Sequence, residues 1–146
     1  MIMGKATQDL IKEHEAIIHV LEIVDKMMAS DTKKDIGKIE YYKELIYFLK
    51  IFADKCHHGK EENYLFKELV INHLHKNDGL IKVMLEEHVE GRKYIALMDE
   101  ALTAEDLTKF NANAINYSQL LKKHIEKENN VLFPLADELL DEKRQN

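Results

Sequence analysis

The chain has 146 residues, 45% hydrophobic and 33% charged, with one proline, five glycines and a formal charge of −6. That length supports one core-bearing domain over residues 1–146, the scarcity of Pro and Gly disfavours a many-turned β-fold, and the acidic balance excludes the basic stripe that nucleic acid or an anionic membrane needs. No apolar run approaches the ~20 residues that span a bilayer, the N-terminus turns polar too early for a signal peptide, and the lone Cys56 forms no internal disulfide, which predicts a cytoplasmic protein.

Apolar residues recur at helical spacing almost throughout. The first stripe is Leu10, His14, Ile17, Leu21, Val24 and Met28, expected to open after Thr7 as N-cap and to end near "SDTKKD". A second helix is expected from Ile39 to about His73, stopped by the turn signal "KNDG" (76–79). Inside it, "KCHHGKEENYLFK" (55–67) sets two adjacent histidines four residues ahead of two adjacent glutamates. The third stripe is Ile81, Met84, His88, Gly91, Ile95, Met98 and Leu102. "LTAED" then offers Thr103 as the N-cap of a fourth helix, whose stripe is Tyr117, Leu121, His124, Glu128, Val131 and Leu135. Pro134 lies late enough to kink or end that helix without harming the rest. The expectation is an all-α protein, an antiparallel up-down-up-down four-helix bundle.

The second and fourth helices repeat each other. "HHGKEENYLF" (57–66) aligns without gaps to "HIEKENNVLF" (124–133), sharing His57/His124, Lys60/Lys127, Glu61/Glu128, Asn63/Asn130, Leu65/Leu132 and Phe66/Phe133. More weakly, "LEEHVEG" (85–91) echoes "IKEHEAI" (11–17), pairing His88 with His14. The chain therefore reads as two helical hairpins of one plan. This register selects His57–Glu61 over His58–Glu62 as the i,i+4 pair, because only it aligns Leu65 and Phe66 with Leu132 and Phe133.

Seam positions that elsewhere carry Leu or Ile carry His14, His88 and His124. One such histidine is usually a hydrogen-bonded core residue; several are expensive to bury unless something binds their nitrogens. Two His-x-x-x-Glu pairs and two single histidines offer four nitrogens and two carboxylates, too many for one tetrahedral zinc. Two metals fit better, each on two imidazoles, with Glu61 and Glu128 bridging and an oxo or hydroxo group completing the shell. Iron suits a His/carboxylate set with open positions. No Glu-x-x-His, His-Glu-x-x-His, Cys-x-x-Cys or glycine-rich phosphate loop occurs, which argues against ferritin-type, zincin, zinc-finger and nucleotide sites.

The order His14, His57-x-x-x-Glu61, His88, His124-x-x-x-Glu128, with the phrases "DKCHHGKEENYLF", "MLEEHVEGRKYI" and "HIEKENNVLFPLAD", resembles the hemerythrin-like family in its HHE-type branch. The resemblance covers roughly residues 6–140. It implies a non-haem di-iron centre in which those four histidines are terminal ligands and the two glutamates bridge, and in which oxygen-carrying members bind O2. The chain departs from those carriers twice. Arg92 stands where they have a second helix-three histidine, and Glu128 stands four residues after His124 where they have an aspartate at five. His58 is the candidate substitute seventh ligand. "HIEKENNVLFPLA" is also similar to the iron–sulfur-cluster repair proteins.

Around these residues the expectations are plainer. Gly91 and Gly59 leave room for a metal or for close helix packing, Cys56 is a small buried hydrophobe, Tyr117 and Tyr64 belong to the core, and His19, His73 and His75 stay outside the site. The leading function is a di-iron protein that binds or senses O2 or NO. The alternatives are an enzyme or iron donor acting on peroxide or NO or in cluster repair, and a metal-free interaction bundle.

Overall fold

The computed structural model describes residues 5–29, 39–71 and 78–140, and among them there are four helices and no strand. The first, α1, is Lys5–Ala29. It opens two residues ahead of Thr7, so Thr7 is not its cap. The side chain is buried, and its hydroxyl donates to Asp137 at 2.8 Å.

The second helix, α2, runs continuously through Ile39–Phe48, Leu49–His58, Glu61–Leu65 and Phe66–Ile71. Two of those stretches, Leu49–His58 and Glu61–Leu65, are π-helical. A π turn closes i to i+5, so it holds more residues than the 3.6 of an α turn and steps through a smaller angle per residue. Its expected end near His73 lies outside the described residues. The third helix, α3, is Asp78–Thr103, so the last two residues of "KNDG" open a helix.

Thr103 ends α3 and does not cap its successor; its hydroxyl donates back to the Asp99 carbonyl at 3.1 Å. The cap is Asp106, whose carboxylate accepts from the Lys109 backbone N–H at 3.0 Å. The fourth helix, α4, is Leu107–Lys127, continued by a π turn at Glu128–Leu132 and by Phe133–Leu139. It passes through Pro134, which sits in the first turn after the π segment. The two short π segments, Glu61–Leu65 and Glu128–Leu132, fall at matching places in the repeat. Each shifts the face that follows: Leu132 and Phe133 are buried, while Val131, expected on the seam, is half exposed.

The apolar core is divided in two. One cluster holds Ile17 to Met28 of α1, Ile39 to Ala53 of α2, Ile95 to Leu102 of α3 and Leu107 to Ile125 of α4. The other holds Leu10, Leu65, Phe66, Leu69, Ile81, Met84, Leu132, Phe133, Ala136 and Leu140. The histidines and glutamates singled out above fall where each helix passes from one cluster to the other. No helix among the described residues is long and apolar enough to cross a membrane.

Candidate metal centre

His14, His57, His58, Glu61, His88, His124 and Glu128 are all buried, and both glutamate side chains are fully inaccessible. They fall into two overlapping groups whose donor atoms lie within 4.8 Å of one another: His58, Glu61, His88 and His124, and His14, His57, Glu61 and Glu128. Glu61 belongs to both. Its Oε1 is 3.0 Å from His88 Nε2, while its Oε2 is 3.2 Å from His57 Nε2 and 3.8 Å from His14 Nε2. Glu128 Oε1 stands between the groups too, 3.0 Å from His14 Nε2 and 3.3 Å from His124 Nε2. The geometry thus groups three imidazoles on one side and two on the other, where the sequence suggested two and two with His58 as a candidate seventh ligand.

Adjacent residues on an α-helix point about 100° apart, which would send one of His57 and His58 away from a shared centre. The π turn over Leu49–His58 narrows that angle, and both imidazoles are buried together. His58 then stacks on His88, ring centroids 3.9 Å apart and 18° between planes. His14 stacks on Phe133 at 5.3 Å.

Every one of the five imidazoles turns the same nitrogen outward to an acceptor. His57 Nδ1–H donates to Glu13 at 2.8 Å, His124 to Glu87 at 2.8 Å, His88 to Glu62 at 2.7 Å, His58 to Asp54 at 3.3 Å and His14 to the Asn129 amide oxygen at 2.7 Å. A neutral imidazole with its proton on Nδ1 presents a lone pair on Nε2. Five Nε2 atoms and two carboxylates therefore converge, with donor atoms within 4.8 Å of one another in each group, which is repulsive unless a metal ion or shared protons sit among them. His57 Nε2, both Glu61 oxygens and Glu128 Oε2 are buried and have no hydrogen-bond partner among the described residues. That donor set fits a pair of metal ions.

Without a metal, protons take up part of that role. Burial, reinforced by the neighbouring Glu128, raises the Glu61 carboxyl well above the usual range. Against the upward push of burial, His124 and His14 hold Glu128 low. Burial would lower His124, but Glu128 and Glu87 lift it to about 10. Burial drives His88 down to about 2, with His58 and His124 adding to it, and drives His58 down to about 4.

Residues with no role in the sequence reading complete the surround. Lys60 and Lys127 tie back the second oxygens of Glu13 and Glu87, each at 2.5 Å, so the triads Glu13–His57–Lys60 and Glu87–His124–Lys127 match. The signal was available: Lys60/Lys127 is a repeat pair, and a glutamate precedes both His14 and His88. Arg92, where oxygen carriers have histidine, donates from Nε to Asp54 at 2.8 Å and from Nη2 to Glu62 at 2.6 Å.

Some expectations fail here. Cys56 is exposed and Tyr64 is 71% exposed, because the side of α2 next to His57 turns outward when His57 and His58 share the inside. Tyr117 is in the core, as expected, and His19 is exposed, while His73 and His75 lie outside the described residues. A methyl group on Gly91 would meet the Tyr117 ring at 3.5 Å and one on Gly59 would meet nothing nearer than 4.0 Å, so Gly91 serves helix packing and neither glycine borders the donor cluster.

Comparison with known proteins agrees with this geometry. The family model described as the hemerythrin HHE cation-binding domain matches residues 5–136. No curated protein and no solved structure matches the chain.

Proposed function

The chain belongs to the hemerythrin HHE cation-binding family, and from that premise we propose that it holds two iron ions and binds or senses O2 or NO. His58, His88 and His124 would hold one ion and His14 and His57 the other, with Glu61 and Glu128 supplying the carboxylates between the two groups. Iron, when bound, would supply a redox-active Lewis acid for a diatomic ligand. The protein's part is orientation and exclusion. Outward hydrogen bonds fix each imidazole with Nε2 inward, Glu61 offers one oxygen to each group, and the two apolar clusters close the layer from both ends. The side of His14 and His57 would offer its ion one nitrogen fewer, which is why we assign the diatomic ligand to that side.

The order in which the helices meet the two clusters supports the up-down-up-down arrangement. Helices α1 and α3 pass from the Leu10/Ile81 cluster to the Ile17/Ile95 cluster, and α2 and α4 pass the other way. We read residues 1–146 as one such bundle.

The observation that carries the reading is that five buried imidazoles each turn Nδ1 outward to an acceptor and Nε2 inward, around two buried carboxylates three of whose four oxygens have no hydrogen-bond partner among the described residues. Anaerobic loading with ferrous iron, followed by an O2 titration watched by absorbance, tests it. The expected result is two irons per chain and a visible band that fades on deoxygenation over repeated cycles. Iron uptake below one per chain would sink the two-ion reading, and steady consumption of O2, peroxide or NO would replace binding with turnover.

A further inference from the structure

The repeat that pairs His57 with His124 and His14 with His88 can be carried outward, residue by residue, to what surrounds them. The Glu13–Lys60 and Glu87–Lys127 supports come out the same in both halves. Four other positions change together. Asp54, His58 and Glu62 of α2, with Arg92 of α3, stand where α4 has Leu121, Ile125 and Asn129 and α1 has Ile18.

The polar four are one connected unit. Arg92 Nε donates to both Asp54 oxygens, at 2.8 and 3.0 Å, and its Nη2 donates to Glu62 Oε2 at 2.6 Å. Asp54 Oδ1 accepts from His58 Nδ1, and Glu62 Oε2 accepts from His88 Nδ1. One guanidinium thus fixes the two carboxylates that fix two stacked imidazoles. A planar fork can do this because its donors are rigidly spaced, whereas an ammonium cannot hold both carboxylates in one geometry. In the other half three of those places are aliphatic, with Leu121 and Ile125 buried, and the fourth, Asn129, supports His14 with a neutral amide.

We infer that Arg92 is a positioning residue: through Asp54 and Glu62 it holds His58 and His88 as a preset pair of nitrogen donors and makes the three-histidine metal position unlike its twin. Arg92 touches no metal-facing atom. It restores, through a neighbouring helix, the nitrogen donor lost from its own place on α3. This inference rests on the two-ion reading above.

The test uses the full chain, stripped with chelator and titrated anaerobically with cobalt(II) chloride, with the cobalt d–d bands as readout. Unsubstituted protein takes up two equivalents. Arg92→Gln weakens one equivalent by about 10–100-fold, the range for loss of a group that orients a ligand. The bands of that ion shift, and the other equivalent stays within twofold. Arg92→Lys shows the same selective loss to a smaller degree. His58→Ala weakens the same equivalent, and adding Arg92→Gln to it costs less than the single loss of Arg92→Gln alone, because only the Glu62–His88 arm is then left for Arg92 to hold. Retention of both equivalents in Arg92→Gln and Arg92→Lys overturns the assignment. So does equal weakening of both, or full additivity with His58→Ala. Unsubstituted protein that binds no cobalt overturns the metal reading itself, which separates the two failures.

Discussion

The apolar clusters and the histidine–glutamate layer between them are built on the same four seams, one helical turn apart, yet they answer to opposite demands. Leu21 and Leu69 are fully buried among aliphatic neighbours, where each removes apolar surface from water and leaves no polar atom unpaired. Glu61 and Glu128 are as deeply buried, and three of their four oxygens have no hydrogen-bond partner among the described residues. The first pattern stabilises the fold. The second costs stability and presents a donor set, and it persists only because the flanking clusters hold the helices in register on either side. Burial by itself therefore says nothing about the sign of a residue's contribution.

Substitutions in the two regions should move in opposite directions. Leu21→Ala leaves a cavity in the larger cluster and is expected to cost about 2–5 kcal/mol, seen as a lower melting temperature, with cobalt uptake still at two equivalents. A loss of metal stoichiometry in that variant would show that the layer and the cluster are not separable. Glu61→Leu, by contrast, removes two unpaired buried oxygens and is expected to raise the stability of the metal-free protein by about 1–3 kcal/mol. The same variant loses the carboxylate that faces both groups, so two-ion binding disappears. If metal-free Glu61→Leu melted below the parent, the layer would not be under the strain described.

A third contrast lies in the dependence on acid. Folded His58 is driven by burial down to about 4 from an ordinary 6.5, so between those values the unfolded chain binds more protons than the folded one. Stability that is present above pH 6.5 is accordingly lost as the pH falls toward 4. His58→Ile, the residue found at the matching place in α4, should flatten the melting temperature of metal-free protein across that window. Leu21→Ala should lower the whole curve without changing its shape. Calorimetry in chelator at stepped pH distinguishes the two; parallel curves for all three proteins would remove His58 from the account.

Much of this was legible in the chain. The stripes of α1 and α3 are buried residue for residue, and the repeat chose Glu61, which is fully buried, over Glu62, which is partly exposed and bonded outward to His88 and Arg92. Periodicity misplaced the faces where α2 and α4 take π turns: Tyr64 and Val131 turn outward and Cys56 with them, because a template of 3.6 residues per turn has no place for the extra residue. Caps were misjudged for a related reason. Thr7 and Thr103 are good caps in isolation, but Thr7 found a partner in Asp137 at the far end of the chain.

What the sequence determined by itself was the set of helices and the inward face of the six repeated histidines and glutamates, since both follow from spacing along one chain, which sets the face a side chain shares. What only the tertiary structure decided was the company those donors keep: His58 turned inward beside His57, the three-and-two grouping, and Arg92 joining Asp54 to Glu62 across two helices. Those contacts join residues of different helices, or depend on a local change of helical pitch, and such relations are settled when the helices pack.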